Sequence, residues 1–141
     1  MMKINNPLNI KWNPANCWNG QTGHHNGFCV FDSTRNGIRA AFVLLRTYWN
    51  KYHLKSIRQI ITRWAPYSEN PTDSYIEFIC LKFTKHYNRS RVFDADEPLG
   101  KTFNTALPRL ALLLKFMSDF ESPNHGIEFQ TFIHCGKTLE L

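Results

Sequence analysis

Thr62–Ile76, TRWAPYSENPTDSYI, is the stretch that organises the chain. Two prolines, a tryptophan and two tyrosines crowd a gap between apolar runs of helical period. Pro66 disfavours helix at Ala65 and so ends the run before it. Pro71 keeps Asn70 extended, and Thr72 is placed to cap a new helix with Asp73 favourably inside its first turn. The stretch therefore reads as a corner between two helices. A corner alone does not need Trp64, Glu69 or Tyr75, so the same residues are candidates for the wall of a site.

Upstream of the corner, Ser56 caps a short helix with Ile57, Ile60, Ile61 and Trp64 inward. Before it, Asp32, Ser33 or Thr34 opens a longer helix, ending near His53. Ile38, Ala41, Phe42, Leu45, Trp49 and Tyr52 fall on its one face. Downstream, the helix begun at Thr72 buries Tyr75, Ile76, Ile79, Cys80 and Phe83. Another helix runs from about Thr102 to Phe120, with Phe103, Leu107, Leu110, Leu114, Met117 and Phe120 inward. Pro108 is expected in its first turn or at a kink. After Pro123, GIEFQTFIHCG alternates weakly and fits an edge strand or a short helix.

The first 33 residues are rich in Asn, Gly and Pro. Leu8, Ile10 and Trp12 alternate with polar residues, and Phe28–Phe31 is a second extended run. Asn19-Gly20 and Asn26-Gly27 favour turns with positive φ. The expectation is a small, irregular β-hairpin or a pair of extended segments made from these runs and supported by the helices. The predicted organisation is one domain over residues 1–141: a β/loop region (1–33), a three-helix segment (34–86), a surface connector (87–101), and a C-terminal helix and tail (102–141). The fold class is mainly α (α+β), with about four helices and a small N-terminal β-hairpin.

A chain of 141 residues with 43% hydrophobic residues can bury a sizeable core. No apolar run reaches the roughly 18–20 residues of a membrane span, and MMKINNPLNI has no signal-peptide core. The expectation is cytoplasmic synthesis without a leader, with association to a virion or release to the cell wall at lysis. Cys17, Cys29, Cys80 and Cys135 form no CxxC pair and read as reduced thiols, although Cys17 and Cys29 could pair if their segments do. Cys17, His24, His25 and Cys29 are zinc-ligand types without zinc spacing, so no metal and no other cofactor is expected.

Seventeen Lys and Arg against 11 Asp and Glu give a net charge of +6, which favours anionic partners. The cations form no block, so a solvated helical face explains them better than a nucleic-acid groove. Nucleotide-loop, α/β-hydrolase and zincin motifs are absent. What remains is acid–base chemistry. Glu69 lies between Trp64, Tyr67 and Tyr75, as a glycosidase acid lies beside sugar-binding aromatics. Read as structure, it is a solvated corner residue near a helix N-terminus. Glu121 is a possible second carboxylate, but a helix C-terminus disfavours it, and exposure is expected. Arg39 and Arg63 suit an anionic ligand or ordinary surface pairing.

Four segments taken together, INNPLNIKW (4–12), CWNGQ (17–21), GFCVFDSTRNGIRA (27–40) and SIRQIITRWAPYSENPTDSYI (56–76), resemble a group of phage and prophage proteins described as virion or structural proteins. The shared pattern is NNPxNI, W-x-G, GIRA and W-A-P-x-x-E-N-x-T-x-x-Y, over about residues 4–80. Beyond residue 90 the likeness is loose: that group often carries ENG where this chain has Glu121-Ser122-Pro123. The chain is more distantly similar to lysozyme-like glucosaminidases of bacterial cell walls, with Thr72, Asp73 and Tyr75 at a Thr-Asp-x-x-Tyr segment. Those enzymes place the acid glutamate on a helix before the Asn-Asn segment, and here only four residues precede Asn5.

The resemblance implies a lysozyme-like fold and a partner in peptidoglycan or another cell-wall glycan, with other virion proteins as further partners. It implies catalytic roles for Glu69, Asp73 and Tyr75. A glycan would be bound by Asn5, Asn6, Asn9, Trp18, Trp64 and Asn70. The alternative is a non-catalytic virion structural or host-interaction protein in which the same motifs are turns, anchors and caps.

Overall fold

The computed structural model describes residues 3–139. Two strands, β1 (Gln21–His25) and β2 (Phe28–Phe31), are followed by five helices. These are α1 (Thr34–Tyr52), α2 (Ile57–Trp64), α3 (Thr72–His86), α4 (Phe103–Glu121) and α5 (Phe129–Lys137). The fold is mainly helical with a small antiparallel hairpin near the N-terminus.

The hairpin closes where Asn26-Gly27 was expected to turn: His25 pairs with Phe28, and both intervening residues have positive φ. Its first strand differs from the expected one. β2 pairs with Gln21–His25, while the Leu8–Trp12 run forms a short bridge, Lys11 to Phe28, with Cys29 N–H donating to the Ile10 carbonyl and Trp12 N–H to the Gly27 carbonyl. The reason lies in Asn6. Its buried side chain accepts from the Ile10 N–H and donates to the carbonyls of Ile10 and Cys29, spending ladder groups on a local loop. Leu8 and Ile10 are still buried, as anchors rather than strand residues.

The helix caps follow the sequence closely. Ser33, Ser56 and Thr102 each accept an N–H from the first turn of α1, α2 and α4. α1 ends at His53 in the left-handed region. At α3 the cap position is Pro71, and Thr72 is the first helical residue. Its hydroxyl donates back to the Ala65 carbonyl at the end of α2, so Thr72 welds the corner instead of capping the helix. Tyr52 is exposed, because its turn of α1 runs past the core. Pro108 lies beyond the first turn of α4, where its ring leaves the Asn104 carbonyl without an intrahelical donor on an exposed face. The segment after Pro123 forms helix α5.

One hydrophobic core runs from Leu8 to Leu139, with α4 packed against α1, α3 and α5. Residues 87–101 hold no helix or strand, but they are more than a surface connection. Phe93, Ala95 and Leu99 are buried, and the Ala95 carbonyl and Leu99 N–H bond to Arg58 and Lys55 around the start of α2. Glu97 takes Arg89 and Arg109 as ion-pair partners. No described helix is long and apolar enough to cross a membrane.

Candidate functional site

Between the β/loop region and the helices lies a cleft of about 310 Å³. Asn9, Ile10, Lys11, Asn16, Trp18 and Phe28 form one wall. Leu44 and Tyr48 of α1 form the other, with Trp64, Ala65 and Asn70 from the corner. Glu121, the last residue of α4, completes the lining. The volume lies at the small end of the range for ligand pockets. Such a mixture of indole and phenol faces with amide groups suits a ligand having both apolar faces and hydroxyl or acetamido edges.

Glu121 is the chemically distinctive group. Its Oε1 accepts from Asn9 Nδ2 at 3.1 Å, and the same amide donates to the Glu121 main-chain carbonyl, also at 3.1 Å. Its Oε2 accepts from the Tyr75 hydroxyl at 3.0 Å. The Trp64 indole lies beside the carboxylate and favours its ionised form. Burial pushes the carboxyl above the ordinary carboxylate range, against the opposing pull of Asn9, Tyr75, Trp64 and the nearby Lys11 cation. The expected exposed Glu121 is therefore corrected. The Asn9 amide covers the open carbonyl at this end of α4, and Tyr75 and Trp64 close over the side chain. Tyr75 is itself buried, stacked on Phe120 at 4.0 Å, and its phenol is held protonated by burial first and by the adjacent carboxylate second.

Glu69 sits differently. It is exposed at the corner and pairs with Lys11 at 2.8 Å, and that hydrogen-bonded cation holds its carboxyl below the usual range. It does not line the cleft, though Lys11 and Asn70 beside it do. Asp73 is exposed in the first turn of α3 and accepts the Tyr67 hydroxyl at 2.6 Å. Of the expected glycan-binding residues, Asn9, Trp18, Trp64 and Asn70 line the cleft. Asn5 and Asn6 do not. Asn5 donates to the Phe31 carbonyl at 3.0 Å, and Asn6 is consumed by its loop. Both are tied to main chain, as the structural reading of an Asn-rich turn requires.

Three cleft residues carried too little signal to be singled out: Lys11, Asn16 and Tyr48. Tyr48 lies one residue before Trp49 in α1, on a half-buried flank that the helical period does not mark as core. The indole N–H of Trp18 is buried without a partner among the described residues. All four cysteines are free, with Cys17 exposed and the others buried. No described group of three or more His, Cys, Asp and Glu side chains is arranged to hold a metal ion.

No protein-family model matches the chain. Over 85 residues it is 44% identical to Protein P5 of Pseudoalteromonas phage PM2, an alignment covering 57% of this chain and 53% of that protein. The chain is thus a homologue of a phage protein, and it spans about half the length of that curated relative.

Proposed function

We propose that this phage-related protein binds, and cleaves, glycan strands of bacterial peptidoglycan, with Glu121 as the proton donor. The observation that carries the reading is a desolvated carboxyl at the end of α4, held by Asn9 and Tyr75 beside Trp64 and lining an aromatic cleft. Glycoside hydrolysis requires a carboxylic acid that keeps its proton near neutral pH, and burial is the ordinary way to supply one. The similarity to cell-wall glucosaminidases, traced from the Asn-Asn segment onward, does not itself name the acid. Here a helix that follows that segment in sequence reaches it in space, and Asn9 is the point of contact.

In this reading Trp18, Trp64 and Tyr48 stack on sugar rings, and Asn16 and Asn70 bond hydroxyl or acetamido groups. Tyr75 orients the acid. Glu69 holds Lys11 beside the cleft through its ion pair, and Asp73 holds Tyr67 at the rim of the corner.

One specific observation favours the non-catalytic alternative. The bonds to Glu121 also staple α4 to α3 and to the N-terminal loop, which a virion structural or host-interaction protein would need equally. Digestion of purified peptidoglycan by the wild type, Glu121→Gln and Glu69→Gln separates the two. The catalytic reading expects soluble glycan fragments from the wild type, at least a ~100-fold loss in Glu121→Gln, and a smaller loss in Glu69→Gln. Sedimentation with sacculi but no release from any variant would leave binding without catalysis. Neither binding nor release would give the structural reading the lead.

A further inference from the structure

The glycan-binding reading can be taken one step further, to the charge of the strand that the cleft selects. Lys11 lines the cleft, and Arg63 touches its wall through Tyr48. Lys11 is compensated, since its ammonium is paired with Glu69 at 2.8 Å. Arg63 is not. Its guanidinium lies 3.9 Å from the ring centroid of Tyr52 and 5.3 Å from that of Tyr48, close enough for its charge to favour the ionised Tyr48 phenol. Among the described residues it has no carboxylate partner. Tyr48 is a wall of the cleft and packs edge-on against Trp64 at 6.2 Å. Arg63 follows Thr62 and precedes Trp64 in α2, so the cation is fixed to the same rigid element as the cleft's central aromatic.

Stacking on two phenols orients the planar fork without consuming its charge, and such a fork matches a carboxylate in bidentate geometry. The cost of ordering the side chain is therefore partly met before any ligand arrives. An exposed, aromatic-braced arginine with no acidic partner, beside a sugar-sized cleft, is arranged for an anionic group carried by the ligand.

We propose that Arg63, braced by Tyr48 and Tyr52, is a specificity-determining residue that makes the cleft prefer aminosugar strands bearing carboxylates over neutral ones. This rests on the glycan reading above. The carboxylate has two possible sources in a wall strand: the acidic substituent of the sugar, or the peptide attached to it. The chemistry of recognition is the same for both.

Tryptophan-fluorescence titration tests this, with Trp18 and Trp64 as reporters, in the Glu121→Gln background so that no ligand is consumed. Three ligands are needed: a neutral N-acetylglucosamine tetramer, amidase-stripped wall strands with free sugar carboxylates, and uncross-linked strands that keep their peptides. Arg63→Gln is expected to weaken binding of at least one carboxylate-bearing strand by about fivefold, in the range of a partly exposed ion pair, and the neutral tetramer by less than about twofold. Arg63→Lys should recover part of the loss, and added salt should erode the preference. Loss on the stripped strand assigns the sugar carboxylate, and loss on the peptide-bearing strand alone assigns the peptide. Equal weakening of all three ligands, or of none, overturns the proposal while leaving glycan binding intact. No binding of any ligand by the Glu121→Gln protein carrying Arg63, with wild-type protein also failing to sediment with sacculi, overturns both readings.

Discussion

Glu121 occupies a place where a carboxylate is disfavoured twice, by burial and by the negative end of α4. Its proton is therefore held more tightly in the folded chain than in the unfolded one. Linkage then fixes the sign. A carboxyl with a raised folded pKa imposes no penalty while it is neutral in both states, and destabilises the fold as pH rises above the ordinary carboxylate range and through the raised value. Glu121→Gln, which cannot ionise, should accordingly melt at a higher temperature than the wild type at pH 7, with the difference closing toward pH 4. Thermal unfolding across that range measures it, and a difference independent of pH would mean that burial of the charge is not the cause. Tyr75→Phe removes a donor that favours the ionised form. The Glu121 carboxyl should then titrate still higher, which carbon-detected NMR of the labelled side chain would show. Sequence reasoning singled out Tyr75, Asn9 and Glu69, the carboxylate nearest the aromatics along the chain, but expected Glu121 to be exposed. Nearness in sequence put Glu69 on the solvent side of the corner, beside Lys11.

At the scale of elements, the corner and the first helix hold the site's walls. Thr72 is buried and gives its hydroxyl to the Ala65 carbonyl. Thr72→Val keeps the shape and orphans that carbonyl, so a loss of about 1–3 kcal/mol in urea denaturation is expected. Gly37 plays a different part: a methyl group built there would run into the Asn5 carbonyl, so α1 can approach the N-terminal loop only without a side chain. Gly37→Ala should cost about 1–3 kcal/mol by overpacking, despite the better helix propensity of alanine. Caps, prolines and 3.6-residue spacing made α1 through α4 legible because each signal acts within a turn or two of itself. The partner of β2 was not, since a strand's pairing depends on which neighbour has free ladder groups. Asn6 takes the Ile10 N–H and the Cys29 carbonyl, which limits the pairing of the Leu8–Trp12 run with the hairpin to the Lys11–Phe28 bridge and its two backbone hydrogen bonds.

For the molecule as a whole, α4 is the element on which α1, α3 and α5 converge. Leu113 is fully buried in it, and Leu113→Ala should cost about 2–5 kcal/mol, with the helical signal lost in one cooperative transition. A separate early transition of residues 3–33 would instead show that the cleft walls unfold independently. Composition, helical periodicity and cap chemistry were enough to establish a mainly helical chain with a small hairpin, because those preferences are local. The joining of Asn9 to Glu121 was beyond them: the two lie 112 residues apart in the chain. Only the packing of α4 against α3 brings that helix end to the N-terminal loop. There the protein withdraws the carboxyl from water, and the same packing leaves Glu69 in it.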